Sequence, residues 1–133
     1  MASQQYSLLV VDDNEMNRDL LSRRLERQGY RVTVAVDGRQ ALEILNREDF
    51  NLVLLDIMLP EMNGYQVLEQ LKADQSLSHI PVIITTALDE ADGKARCIEL
   101  GAEDYLTKPF NPVMLKSRIS DCLERHNRAQ AGQ

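Results

Sequence analysis

Short apolar runs alternate with amphipathic stretches along the whole chain, and several of the runs stop abruptly on polar residues. Leu8-Leu9-Val10-Val11 meets Asp12-Asp13, Leu52-Val53-Leu54-Leu55 meets Asp56, and Val82-Ile83-Ile84 meets Thr85-Thr86. A shorter piece, Tyr105-Leu106-Thr107, meets Lys108-Pro109. Runs of this length bounded by polar or turn residues predict strands buried on both faces, as in a parallel sheet. Arg31 to Val36 is β-branched and alternating, which adds a further strand.

Between the strands the apolar residues recur at helical spacing. Met16, Leu20, Leu21 and Leu25 predict the first helix, closed by Gln28-Gly29. Ala41, Leu42, Ile44 and Leu45 predict the second, and Tyr65, Val67, Leu68 and Leu71 the third, after the Pro60 to Gly64 loop. Ala95, Ile98 and Leu100 mark the fourth, preceded by polar residues from Asp89 and ended by Gly101. Pro112 suits the start of the last, with Val113, Ile119 and Leu123 expected to face inward. Five βα units in a row predict an α/β fold: a doubly wound, five-stranded parallel sheet with helices on both faces. Right-handed crossovers make the flavodoxin-like order 2-1-3-4-5 one common solution.

In such sheets the ligand site lies outside the carboxyl ends of the strands. Asp12, Asp13, Asp56, Thr86 and Lys108 are therefore expected to converge on one edge. One aspartate at a strand end is ordinarily a cap, but crowded carboxylates repel each other and raise one another's proton affinity unless a cation joins them. With no His or Cys in these segments, Mg2+ fits better than zinc. Lys108 reads as a counter-charge to the carboxylates or to a bound phosphate, and Thr86 as a donor to a phosphoryl oxygen. Tyr105, Met58, Met62 and Met114 read as packing or loop residues on sequence grounds.

Composition narrows the setting. The chain has 133 residues, enough for one domain with its own core, and a formal charge of −6. That charge opposes direct nucleic-acid binding by this domain. No apolar stretch is long enough for a membrane span, and Met1 to Gln5 lacks the features of a signal peptide. Cys97 and Cys122 lack metal-ligand spacing and are expected to be packed thiols in a reducing cytoplasm.

The acidic pair after the first strand, Asp56-Ile57-Met58-Leu59-Pro60 with Gly64, Thr86-Ala87, and Lys108-Pro109-Phe110 together resemble the CheY-like receiver domains of two-component response regulators. The resemblance covers residues 6–126, leaving 127–133 as a polar tail or the start of a linker. It implies that Asp56 is the phosphoacceptor for a phosphohistidine on a sensor histidine kinase or phosphotransfer protein. It implies Mg2+ bound by Asp13, Asp56 and the backbone carbonyl of Met58, with Asp12 acting through water. Lys108 and Thr86 would hold phosphoryl oxygens, Tyr105 would be the switch aromatic following Thr86, and the Lys108-Pro109 bond would be cis. Phosphorylation would then remodel the face of helix 4, strand 5 and helix 5. Such a domain is a switch, not an enzyme, beyond its own phosphorylation and slow dephosphorylation. Apolar Met58 and Leu88, at positions that influence that rate in the family, imply slow decay.

The output is less specified. Residues 96–106 and 111–116 are similar to receivers that serve nucleotide cyclases, phosphatases or kinases, fused or separate; a DNA-binding output is compatible too, as is a phosphorylation-dependent homodimer. The last helix has no breaker after Arg125 and can continue as a signalling helix. Two other classes fit the residues less well. A phosphatase of the haloacid dehalogenase type needs a second Asp where Met58 stands, and an FMN-binding module would have its phosphate repelled by Asp12-Asp13.

Overall fold

The computed structural model describes residues 5–86, 91–108 and 110–131, with side chains considered outside positions 91, 92, 94 and 127–131. Elements alternate as β1 (Ser7–Val11), α1 (Glu15–Arg27), β2 (Arg31–Ala35), α2 (Gly38–Leu45), β3 (Leu52–Asp56), α3 (Gly64–Ala73), β4 (Val82–Thr86), α4 (Ala91–Glu99), β5 (Asp104–Thr107) and α5 (Pro112–Ala131). The five strands form one parallel sheet in the order β2-β1-β3-β4-β5. The fold is thus the flavodoxin-like arrangement expected from the alternation.

Each strand sends successive side chains to opposite faces, and the two faces are separate cores. Leu9, Val11, Val53, Leu55, Val82 and Ile84 pack with residues of α2 and α3 and with Cys97 of α4. Leu8, Val10, Leu52, Leu54 and Ile83 pack with Leu21 and Leu25 of α1 and with Leu115, Ile119, Cys122 and Leu123 of α5. This two-sided burial is why β1, β3 and β4 read as unbroken apolar runs. A Leu buried this way contributes roughly 1.5–3 kcal/mol. Both cysteines are fully buried, as expected of packed thiols.

The helix faces differ in places from their periodicity. Val113 is 76% exposed rather than inward, since Leu115, Ile119, Cys122 and Leu123 supply the buried stripe of α5. Met16, Leu20 and Ile98 are exposed as well. In α1 the sheet takes Leu21 and Leu25, and among the described side chains of α4 the buried one is Cys97. Of the methionines expected to fill core or loops, Met58 and Met114 (the latter in α5) are exposed, whereas Met62 packs on the core. Helix α5 runs on through Ala131, past the point expected to begin a polar tail. Among the described residues no helix is long and apolar enough to cross a membrane.

Candidate functional site

Register brings the strand-end residues together. Val11 pairs with Leu55, so the chain continues from each into Asp12 and Asp56 on adjacent strands. Asp56 itself pairs with Thr85, and Thr86 with Thr107. One residue further, the Lys108 N–H donates to the Thr86 carbonyl at 2.7 Å, tying the end of β5 to the end of β4. Carboxylate oxygens of Asp12, Asp13 and Asp56 all lie within 4.8 Å of one another. Asp12, Asp56 and Thr86 are buried, while Asp13 is exposed at the mouth.

The loops that close the pocket are locally determined. Asn14 caps α1 by accepting from the Asn17 N–H at 2.9 Å, and the Asn14 N–H donates to Asp12 Oδ1 at 2.9 Å. Asn63 and Gln66 form a reciprocal capping box that starts α3. Gly64, the first residue of that helix, donates its N–H to the Ile57 carbonyl at 2.9 Å. A Cβ at Gly64 would collide with the Asp56 carbonyl oxygen and lie 2.7 Å from Ile57 Cα, so only glycine permits this approach. The Met58 N–H donates to Asp56 Oδ1 at 3.1 Å, which orients the carboxylate.

Lys108 carries the electrostatics. Its Nζ donates to Asp12 Oδ2 and to Asp56 Oδ2, each at 2.9 Å. Burial raises the proton affinity of the Asp56 carboxyl; the bond from Lys108 and the Met58 N–H oppose that, Asp12 adds to it, and the net direction is up. Burial pulls the Lys108 ammonium down, but its bonds to Asp56 and Asp12 more than offset this, and it ends above the ordinary lysine value. Asp56 thus holds its proton more tightly because it is buried, and Lys108 because two carboxylates accept from its ammonium. A donor set of hard oxygens with negative charge to spare fits a hard divalent cation such as Mg2+.

The structure therefore brings Asp12, Asp13, Asp56, Thr86 and Lys108 to one edge. Tyr105 stands apart, opposite Ile84 in the β4–β5 register and partly buried against the core. Met58 is adjacent to the pocket with its side chain 60% exposed. Its thioether has no proton to donate, which removes the general acid a phosphatase would need there. Pro109, Ala87 and Leu88 lie outside the described residues, so the expectations for the Lys108-Pro109 bond and for Leu88 do too. Sequence reasoning missed Arg18, whose Nη1 donates to the Asp12 carbonyl at 2.7 Å. The cap at Asn14, one helical turn earlier, was the available signal.

Residues 8–120 match the family described as the response regulator receiver domain. The chain is 41% identical over 128 residues to a protein named probable transcriptional regulator ycf27 from Porphyridium aerugineum, covering 96% of this chain and 52% of that protein. It is 44% identical over 112 residues to response regulator PleD of Caulobacter vibrioides, covering 84% of this chain and 25% of that protein. The chain thus spans about half, or less, of these relatives' lengths. A CheY-like receiver domain from Methanospirillum hungatei superposes with a TM-score of 0.87 at 31% identity, covering 95% of this chain and 99% of the other. With its sheet order, its acidic strand ends and these matches in agreement, the chain belongs to the receiver domains of two-component response regulators, a family of regulatory phosphoacceptors.

Proposed function

We propose that Asp56 is the phosphoacceptor and that Thr86 and Lys108 convert its phosphorylation into a change on the α4–β5–α5 face. A carboxylate oxygen of Asp56 attacks the phosphorus of a phosphohistidine on a sensor histidine kinase or phosphotransfer protein. The P–N bond breaks, and the imidazole leaves with the electron pair and takes a proton from solvent. Phosphoryl transfer of this kind needs positioning and charge neutralisation more than covalent machinery. The Met58 N–H fixes one oxygen of the Asp56 carboxylate, and Lys108 neutralises the other.

Asp13, Asp56 and the Met58 carbonyl are the groups that would hold Mg2+, with Asp12 acting through water. The ion supplies neutralisation between the carboxylates and the incoming phosphoryl oxygens. The product keeps Lys108 on a phosphoryl oxygen and lets the Thr86 hydroxyl donate to another. Two or three charge-assisted hydrogen bonds at ~1.5–3 kcal/mol each can supply the roughly 5.5 kcal/mol that moves a two-state equilibrium from 1:99 to 99:1. Tyr105, on the strand paired with β4, is the residue that follows Thr86 and passes the change outward.

One observation carries this reading: Lys108 bonds the Asp56 carboxylate through its side chain and Thr86 through its backbone. Nucleophile and sensor thus share a neighbour. The output is a fused or separate module, a nucleotide cyclase, phosphatase or kinase, and the relatives named as probable transcriptional regulators add a transcriptional output to these. A phosphorylation-dependent homodimer and a cytoplasmic setting fit the same reading. Amide shifts on adding beryllofluoride and Mg2+ test the switch. Shifts spreading from Asp56 and Thr86 into β5 and α5 are expected, and Thr86→Ala is expected to confine them; shifts confined to the pocket in the parent chain contradict it.

A further inference from the structure

At the opposite edge of the sheet a second cluster combines three different metal-ligating groups. Glu103 immediately precedes β5, and Cys122 and His126 lie four residues apart on α5, which places them on one helix face. One ligand atom from each lies within 4.8 Å of the others. His126 Nε2 is 3.1 Å from Glu103 Oε1, with both side chains about one-third exposed, while Cys122 is fully buried behind them. His126 also lines a cavity of about 220 Å³ whose walls include His79, Glu48 and Asp49. Tyr6, Asn51 and Pro81, just ahead of β1, β3 and β4, place that cavity at the amino ends of the strands.

We propose that Glu103, Cys122 and His126 form a binding site for a borderline-soft divalent metal of the zinc class, separate from the acidic pocket. The donor set of thiolate, imidazole and carboxylate suits zinc, and the ligand atoms of a tetrahedral zinc stand roughly 3.3–3.8 Å apart. The His126–Glu103 pair, at 3.1 Å, is already near that spacing, and the Cys122 sulfur lies within 4.8 Å of both. On binding, the Cys122 S–H bond breaks, its proton goes to the buffer, and the sulfur electron pair enters the metal bond. His126 enters as neutral imidazole and Glu103 as carboxylate, with no change of oxidation state. Burial, and after it the Glu103 carboxylate, push the Cys122 thiol up to about 11 against the opposing charges of Arg125 and Lys72, so the metal must displace that proton. Lys72 is held off by its bonds to the Ser78 and Ile80 carbonyls at 3.0 and 2.8 Å. The cavity beside His126 gives the ion an entry path and a water for the fourth position.

Co2+ alone, titrated into the full chain with the acidic pocket saturated by Mg2+, reads the site directly. One equivalent is expected to produce a sulfur-to-cobalt charge-transfer band that Zn2+ abolishes. Cys122→Ser should lose the band and Cys97→Ser should keep it. His126→Ala, at a partly exposed position, should weaken Co2+ binding about tenfold or more. Absence of the band in the parent chain, its survival in Cys122→Ser, its loss in Cys97→Ser, or unchanged affinity in His126→Ala would each overturn the proposal.

Discussion

The Nζ of Lys108 lies 2.9 Å from Asp56 Oδ2 and equally far from Asp12 Oδ2, so one ammonium bridges two carboxylates from different strands. The side chains of both acids are at most 4% exposed, which keeps the interaction from being screened as a surface pair would be. Removing one partner of such a group leaves buried charge without compensation.

Lys108→Met is therefore expected to cost about 3–5 kcal/mol in the absence of divalent metal. A bound cation can replace much of the lost positive charge, and ligand binding to the folded state stabilises it by mass action. Urea unfolding with and without Mg2+ should show a larger metal-dependent gain in Lys108→Met than in the parent chain. An equal or smaller gain would show that Lys108 and the cation do not serve the same carboxylates.

Asp56 makes the opposite contribution. Burial lifts its carboxyl above the ordinary value of 3.8, so the folded chain binds that proton more tightly than the unfolded chain. This part of the stability is present below the unfolded value and is lost as pH rises through the raised folded value. Asp74 titrates in the other direction, because bonds from Ser76 lower it, so the comparison must be made between variants. Asp56→Asn should be more stable than the parent by on the order of 1 kcal/mol at neutral pH without metal. The difference should shrink toward acid pH and on adding Mg2+ to the parent. Thermal unfolding across pH measures it, and a difference that is flat or grows toward acid would sink the assignment.

Gly64 links the fold to the site. A methyl there meets the Asp56 and Ile57 backbone, which cannot yield as a flexible side chain could. Gly64→Ala should cost roughly 1–3 kcal/mol of stability and shift the Asp56 and Ile57 amide resonances. An unfolding midpoint unchanged from the parent would mean that α3 can move away without disturbing Asp56.

Met58 follows Asp56 by two residues and exposes a thioether that cannot orient a hydrolytic water. The aspartyl phosphate should accordingly persist for minutes or longer in magnesium buffer, and Met58→Asn should shorten its life. Loss of label within seconds in the parent chain would refute this.

The sheet and the acidic edge were legible because they depend on local sequence. β1, β3 and β4 are buried on both faces, so each shows as an apolar run, and the polar residue ending each run lies at the acidic edge. The parallel order then places those ends together. The helix faces were less legible, because periodicity marks an apolar stripe without saying which part of it a neighbour covers. Met16, Leu20 and Val113 lie on such stripes and remain exposed. Contacts set by the orientation of whole elements were not legible at all. Arg18 reaches the Asp12 carbonyl only through the direction in which α1 leaves β1, and Glu103 meets His126 only once α5 lies beside β5.

Asp56 is the proposed receiver of the phosphoryl group, and that role can be tested alone. Phosphotransfer from a phosphorylated histidine kinase in Mg2+, run in parallel on the parent chain and on Asp56→Asn, tests it most directly. Label should appear on the parent as an acyl phosphate labile to base and be absent from the folded Asp56→Asn variant. Equal labelling of the two would place the phosphoacceptor elsewhere and contradict the account.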